Sequence, residues 1–162
     1  MTTEQFNECV DLHADGVYRF ILHNLKDEEL SRDVVQDAFE KMWMNVGNIS
    51  AEKSKSYLFT TAYHTMLDKI RRGKKQGKWE EVQEHQYSES GNSYNGLRQI
   101  LNEAVSRLPE IQRTVIMLRD YEGYSYEEIG EITALNASQV KVYIYRGRVA
   151  LKEFIGKIEN VI

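Results

Sequence analysis

The sequence has little of what marks an exported or membrane-bound protein. Its 162 residues include one cysteine, which alone can form neither an internal disulfide nor a zinc site. The longest apolar runs, such as residues 115–118, fall far short of the roughly 20 residues that cross a bilayer. The N-terminus lacks the basic start, apolar stretch and cleavage site of a signal peptide. We therefore expect no membrane span and a cytoplasmic chain that begins near residue 1.

Residue patterns that support catalysis are also missing. The four histidines show no paired spacing, and no glycine-rich phosphate loop follows a strand. Local sequence supplies neither a metal site nor a Ser-His-Asp arrangement, so we expect no metal, no cofactor and no enzymatic activity. The spacing of Cys9 from Phe6, Val10 and Val17 predicts a small core residue, with a reactive thiol as the alternative.

A single proline, Pro109, and apolar residues that repeat every three or four positions predict an all-α protein. Residues 73–95 contain one aliphatic residue, Val82, among many Gly, Ser, Asn and Gln residues. Such a segment buries too little apolar surface to offset roughly 1–2 kcal/mol per residue of backbone ordering. We therefore predict two small helical domains, residues 1–75 and 96–162, joined by a flexible linker at 76–95.

The first domain is predicted to be a bundle of three to four helices around one small core. Apolar periodicity places helices at about residues 3–24, from Asp27 to Gly47, and at about 55–72. Asp27 is a good N-cap, Glu28 and Glu29 suit the positive end of the helix dipole, and Gly47 suits a helix stop.

The second domain begins with a periodic segment from Leu97 to Leu108. Pro109 closes this helix, because proline disfavours helical geometry at the residue before it. We expect Pro109 to occupy the first position of the next helix, which ends near Gly123.

A helix-turn-helix is predicted from Ser125 onward. Ser125 and Glu128 have the spacing of a capping box, a tight turn follows at 133–136, and Asn136 can cap a longer second helix. The buried stripe of that second helix is predicted as Val140, Ile144, either Val149 or Leu151, and Ile155. Residues 137–162 carry a net charge of +3, which favours binding in the DNA major groove, with a generic helical hairpin as the alternative.

The formal net charge of −4 conceals blocks of alternating sign. The net charge is −6 for residues 1–50, +6 for 51–78, −7 for 79–136 and +3 for 137–162. Such blocks indicate separate surfaces for separate partners, with solvated helix faces as the alternative. The basic block interleaves with aromatic residues, a combination that binds single-stranded nucleic acid, although basic residues also satisfy a helix dipole.

The second predicted helix carries an acidic strip opposite its apolar face. This strip either faces solvent or receives a basic protein surface. Its residues are Asp33, Gln36, Asp37 and Glu40.

Four motifs, taken in order, carry a family resemblance. They are DVVQDAFEKMW at residues 33–43, SYLF at 56–59 leading to LDKIRR at 67–72, Leu-Pro at 108–109 with Arg113, and YEEIG at 126–130. In this order they resemble bacterial sigma factors of the extracytoplasmic-function (ECF) group of the sigma-70 family, which keeps only regions 2 and 4. The resemblance covers region 2 at about 5–75 and region 4 at about 97–155.

The resemblance implies an RNA polymerase sigma factor that supplies promoter recognition and DNA melting for transcription initiation. The implied partners are core RNA polymerase, through its beta-prime clamp helices and beta flap, promoter DNA, and an anti-sigma factor. The acidic strip then docks on the clamp helices. A free-standing helix-turn-helix regulator, whose N-terminal helices sense a ligand or dimerise, is the alternative function.

The resemblance also implies two sets of DNA-binding residues. The loop at 48–56 and the third helix bind the −10 element as a melted strand, and the recognition helix binds the −35 element as duplex. The implied −10 residues are Lys55, Tyr57, Thr61, His64, Arg71 and Arg72. The implied −35 residues are Gln139, Lys141, Tyr143, Tyr145 and Arg146. His64, Gln139 and Tyr143 depart from residues that are frequent in the family at these positions.

Overall fold

A computed structural model describes residues 1–75 and 93–159, and within these ranges the chain has seven α-helices and no strand. The helices are α1 Thr3–Leu25, α2 Glu28–Met44, α3 Ser54–Lys75, α4 Ser93–Ser106, α5 Glu110–Ile116, α6 Tyr126–Thr133 and α7 Ala137–Glu159. Two 3₁₀ turns, Val46–Asn48 and Ala51–Lys53, connect α2 to α3, and a π-helical turn, Met117–Tyr121, extends α5. The all-α prediction is confirmed. Of the predicted linker, residues 76–92 lie outside the described ranges and 93–95 already belong to α4.

The described chain divides into two compact units. The first contains α1, α2 and α3, and the second contains α4, α5, α7 and α6 as far as Gly130.

The turn between α1 and α2 follows from local capping. Lys26 adopts a left-handed conformation with φ of 55°, and its N–H donates to the Leu22 carbonyl at 2.7 Å, which ends α1. The Asp27 carboxylate then accepts the Leu30 N–H at 3.1 Å, so the predicted N-cap of α2 is confirmed. The helix ends at Met44, before the predicted stop at Gly47, because the chain tightens there into i→i+3 hydrogen bonds such as Asn48 N–H to the Asn45 carbonyl at 2.9 Å.

The core of the first unit is formed by all three helices. Phe20 of α1 and Phe59 of α3 are fully buried, with ring centroids 5.6 Å apart. The other fully buried apolar side chains are Val17, Ile21, Val34, Ala38, Met42, Leu58, Ala62 and Met66. Burial of large side chains of this kind contributes about 1.5–3 kcal/mol each, which is what holds the three helices together.

Cys9 lies in this core with 3% of its surface exposed. Burial raises the pKa of its thiol, and a hydrogen bond with the Ser54 side chain offsets part of that rise. The predicted role as a small core residue is confirmed.

The second unit is organised by the packing of α5 against α7. Val115 and Ile116 from α5 and Val140 and Ile144 from α7 are buried at this contact or beside it. Gly147 allows the two helices to approach closely, since a Cβ there would lie 2.8 Å from Ile116 Cγ1.

Two details of the second unit differ from the sequence predictions. Pro109 precedes α5 and does not occupy its first position: its ψ of 147° is extended, and its carbonyl accepts the Arg113 N–H at 2.9 Å, as an N-cap carbonyl does. On α7, Leu151 is half-buried whereas Val149 is 40% exposed, so the buried stripe continues through Gly147 and Leu151.

Candidate functional site

The acidic strip lies along α2, and most of it faces solvent. Asp33, Gln36 and Glu40 are exposed. Asp37 is half-buried and forms an ion pair with Lys69 of α3, with 2.9 Å between Oδ2 and Nζ. The strip therefore presents the side chains of three predicted residues outward, while the carboxylate of the fourth joins α2 to α3.

An apolar groove of about 720 Å³ runs beside the strip, between α1 and α2. It is lined by Phe6, Tyr18, Arg32, Val35, Gln36, Phe39, Glu40, Trp43 and Met44. The Phe6 ring lies 5.0 Å from that of Trp43, and Trp43 and Met44 are 46% and 85% exposed. Exposed apolar residues beside polar ones are typical of protein-binding surfaces. Sequence reasoning missed this groove, although Phe39 and Trp43 have the i, i+4 spacing that reveals an apolar edge.

Further polar contacts link α2 to α3. The Lys41 ammonium donates to the Thr65 hydroxyl at 2.9 Å, and the Asn45 amide donates to the Tyr57 hydroxyl at 2.9 Å. Together with the Asp37–Lys69 ion pair, these contacts fix the position of α3 relative to the acidic strip.

The predicted −10 residues lie mainly on one outward face of α3. Tyr57, Thr61 and His64 follow each other at helical spacing, and Arg71 continues the same face two turns further on. His64, Arg71 and Arg72 are exposed, whereas Tyr57 and Thr61 are half-buried.

Lys55 and Asp68 alter the set of residues that form this face. Lys55 lies on a different side of α3, with its ammonium 5.9 Å from the centroid of the Phe59 ring. Asp68, which sequence reasoning did not single out as a site residue, is exposed on the same face as His64 and Arg71 and adds a negative charge between these two residues.

The helix-turn-helix is formed by α6 and α7, and α7 together with α6 as far as Gly130 belongs to the second unit. Ser125 and Glu128 form the predicted capping box, with backbone-to-side-chain distances of 3.0 and 3.1 Å. Ala134 turns the chain in a left-handed conformation with φ of 61°. Gly130 has no room for a side chain, since a Cβ there would lie 2.8 Å from the Leu135 carbonyl oxygen.

The first turn of α7 has a second reciprocal cap. The Asn136 side chain accepts the Gln139 N–H at 2.8 Å, and the Gln139 side chain accepts the Asn136 N–H at 3.0 Å. The sequence prediction of Asn136 as a cap is confirmed. Sequence reasoning missed that Gln139, a predicted −35 residue, takes part in the same cap.

The predicted −35 residues surround α7 and do not share a single face. Lys141 and Tyr143 lie on opposite sides of the helix, since two residues advance the helix by about 200°. Lys141, Tyr145 and Arg146 are exposed, and Tyr143 is half-buried. Val142, which was not predicted, lies between them at the centre of the outward face and is 43% exposed.

Arg148 forms a two-point ion pair with Asp120 at 2.6 and 3.3 Å. The hydrogen bond to Asp120 raises the pKa of the Arg148 guanidinium above its ordinary value. This cation is therefore engaged within the second unit.

The described ranges contain no group of three or more His, Cys, Asp or Glu side chains placed to hold a metal ion. In the same part of the chain, none of the helices combines the length and apolar character of a membrane span.

Comparison with known proteins identifies the protein family that each unit matches. Residues 9–76 match the family described as Sigma-70 region 2, and residues 98–151 match the family described as Sigma-70, region 4. RNA polymerase sigma factor SigV of Bacillus subtilis is 29% identical over 139 residues, which cover 85% of this chain and 83% of that protein. ECF RNA polymerase sigma factor SigW of the same organism is 26% identical over 167 residues, covering 93% and 88% of the two chains.

Among solved structures, the fold is similar to that of the sigma factor RpoE in its co-crystal with the anti-sigma factor NepR from Bartonella quintana. The TM-score is 0.81 at 23% identity, with 95% of this chain and 98% of that chain covered. The two family matches lie in the order region 2, region 4 and cover most of the sequence. This chain therefore belongs to the sigma-70 family of RNA polymerase sigma factors, in its extracytoplasmic-function group.

Proposed function

We propose that this chain is a promoter-specificity subunit that contributes binding surfaces while RNA polymerase carries out the chemistry. In this proposal residues 1–75 bind core polymerase and the −10 element, residues 96–162 bind the −35 element and the beta flap, and residues 76–95 connect them. The observation that best supports it is that one chain matches both sigma regions and has a separate exposed face in each. The proposed place of action is the cytoplasm, where the polymerase works.

The acidic strip is the proposed docking surface for the beta-prime clamp helices. Asp33, Gln36 and Glu40 supply exposed polar groups, and the adjacent groove adds the exposed Trp43 and Met44. Apolar area bordered by charge suits a protein partner, since the apolar part supplies affinity and the charges supply orientation. Asp37 contributes in this proposal partly through Lys69, which it holds at 2.9 Å.

The outward face of α3 is the proposed surface for the melted −10 strand. Arg71 and Arg72 are exposed for phosphate contacts, and Tyr57 and His64 offer rings for base stacking. Lys55 belongs to this proposal as a contributor from the side of the helix that holds Phe59.

The α6–α7 pair is the proposed reader of the −35 duplex. The exposed residues in the N-terminal half of α7 include Gln139, Lys141, Tyr145 and Arg146. Helix-turn-helix proteins insert the N-terminal residues of the second helix into the major groove, which is the region these residues occupy. Tyr143, being half-buried, contributes by positioning the helix in this proposal.

An anti-sigma factor is the proposed regulatory partner. This is supported by the similarity in fold to a sigma factor that was solved with one.

Run-off transcription tests the proposal as a whole. Purified chain and core polymerase are incubated with a library of promoter fragments, and comigration of the chain with core is measured in parallel. We expect a stable complex with core and transcripts that depend on the added chain. A chain that neither comigrates with core nor directs any transcript would refute the proposed function.

Charge reversal tests the docking surface separately. The double change Asp33→Arg with Glu40→Arg reverses two exposed carboxylates seven residues apart on α2. We expect its affinity for core to fall at least about tenfold, because like charges then oppose each other at the interface. The matched control, Glu8→Arg with Asp15→Arg, makes the same change at the same spacing on α1 and should keep wild-type affinity. If the two double variants bound core polymerase with equal affinity, the acidic strip would not be the docking site.

A further inference from the structure

The outward face of α7 exposes apolar side chains, which contacts with phosphate groups do not require. Val140, Ile144 and Gly147 face the core, so the opposite side of the helix is centred on Val142 and Tyr145. These two residues are 43% and 70% exposed. An exposed valine at the centre of this face, one turn from the helix N-terminus, lies where base edges are contacted in a helix-turn-helix complex.

Gln139 lies beside Val142, one turn earlier on the helix, and a hydrogen bond from Asn136 orients its amide. The Gln139 Oε1 accepts the Asn136 N–H at 3.0 Å, while the Asn136 Oδ1 accepts the Gln139 N–H at 2.8 Å. A backbone N–H can only donate, so the oxygen of the Gln139 amide must point toward it. The NH₂ group of Gln139 is left to point away from the cap, and the side chain presents hydrogen-bond donors outward.

This orientation of the Gln139 amide limits which bases Gln139 and Val142 can recognise together. The usual glutamine contact with adenine needs the oxygen and the NH₂ group of the amide to face the base together, and here the oxygen faces the Asn136 N–H. In the major groove, thymine presents the O4 acceptor next to the C5-methyl group, whereas cytosine presents a donor and has no methyl. A donor beside an apolar side chain therefore matches thymine.

We propose that Gln139 and Val142 together recognise one thymine of the −35 duplex. The Val142 side chain contacts the C5-methyl group, and the Gln139 NH₂ group donates to O4 of the same base. This inference rests on the proposed function of α7 as the −35 reader.

Removal of the methyl group tests the Val142 contact. Holoenzyme made from the full chain and core polymerase selects active templates from a promoter library with a randomised −35 element. We expect a thymine to be enriched at one position, and its replacement by deoxyuridine to weaken holoenzyme binding about fourfold, the effect of about one buried methyl group. Holoenzyme that contains Val142→Ala should bind the thymine template and the deoxyuridine template equally well.

Val149→Ala is the matched control. Val149 lies on the same face with 40% of its surface exposed, seven residues further along α7 and so about 10 Å from Val142. It should keep the wild-type preference for thymine over deoxyuridine. A similar loss of that preference in both variants would refute a specific contact by Val142.

Gln139→Glu tests the donor. Glutamate can keep the reciprocal cap with Asn136, but its outward oxygen only accepts hydrogen bonds. The selected base should therefore change from thymine toward cytosine, whose N4 amino group donates. Unchanged selection of thymine by Gln139→Glu holoenzyme would refute the Gln139 contact.

The outcomes separate this inference from the proposed function. If scrambling the −35 element lowers wild-type transcription but no deoxyuridine replacement does, the thymine contact is wrong and α7 remains the −35 reader. If scrambling the whole −35 element has no effect, both the inference and the proposed role of α7 fail.

Discussion

At the scale of single residues, the thiol of Cys9 makes the free energy of unfolding depend on pH. Its thiol is buried with a raised pKa, whereas in the unfolded chain it ionises near the ordinary value of 9.0. The unfolded state therefore loses its proton first, and the free energy of unfolding should fall as the pH rises through about 9. Urea unfolding at intervals from pH 7 to pH 10 measures this dependence. Cys9→Ala, although less stable overall, should show a flatter decline, and identical slopes in both proteins would contradict the assignment.

The residues that the sequence predicted well are those whose partners are close in the chain. The N-cap Asp27 and the capping box of Ser125 and Glu128 need partners only three residues away. The cap formed by Asn136 and Gln139 has the same spacing and was therefore accessible, but only its first member was recognised. The pairing of Asp37 with Lys69 joins two helices, and nothing in local sequence specifies that contact.

At the scale of helices, the close contact between α5 and α7 makes the two glycines of α7 differ. A Cβ at Gly147 would lie 2.8 and 3.2 Å from Ile116 Cγ1 and Cδ1, whereas nothing lies within 4 Å of one at Gly156. Gly147→Ala should therefore destabilise the second unit by about 1–3 kcal/mol through overpacking. Gly156→Ala should stabilise it by up to about 1 kcal/mol, because alanine is the better helix former.

Hydrogen exchange of the α5 and α7 backbone amides in the full chain measures both effects. Faster exchange is expected for Gly147→Ala and unchanged or slower exchange for Gly156→Ala. Slower exchange in both variants would mean that Ile116 moves aside at little cost.

The same contact explains which part of α7 was predictable. Helical periodicity identified Val140 and Ile144 as core residues, and both are buried. The next apolar position was ambiguous between Val149 and Leu151, because the buried residue between them and Ile144 is Gly147, which has no side chain to continue the pattern. The apolar groove between α1 and α2 was missed because it depends on how two helices pack, and periodicity within one helix does not describe that.

At the scale of the whole molecule, the distribution of charge determines how strongly the chain binds duplex DNA. The segment 137–162 has a net charge of +3, and one of its cations, Arg148, is paired with Asp120 at 2.6 Å. Four cations of this segment are left for phosphate contacts, namely Lys141, Arg146, Lys152 and Lys157. Each contact changes the logarithm of affinity by about 0.9 per decade of salt. The isolated chain should therefore bind promoter duplex weakly through this segment, with a salt slope no steeper than about −4.

Titration of labelled duplex at several salt concentrations measures this slope, first with the chain alone and then with core polymerase added. We expect tighter binding in the second case. Nanomolar binding by the isolated chain would contradict this description of its surface charge.

The contacts between α2 and α3 have a consequence for how the first unit responds to a partner. The pairs Lys41 with Thr65 and Asp37 with Lys69 join the two helices, and Asn45, directly after α2, donates to Tyr57. The outward face of α3 is thus already oriented relative to α2 before anything binds, and the entropy of arranging it is lost during folding. A partner that holds α2 also determines the direction in which Tyr57, His64 and Arg71 point. Under the proposed function, docking on polymerase would aim the strand-binding face without a separate conformational step.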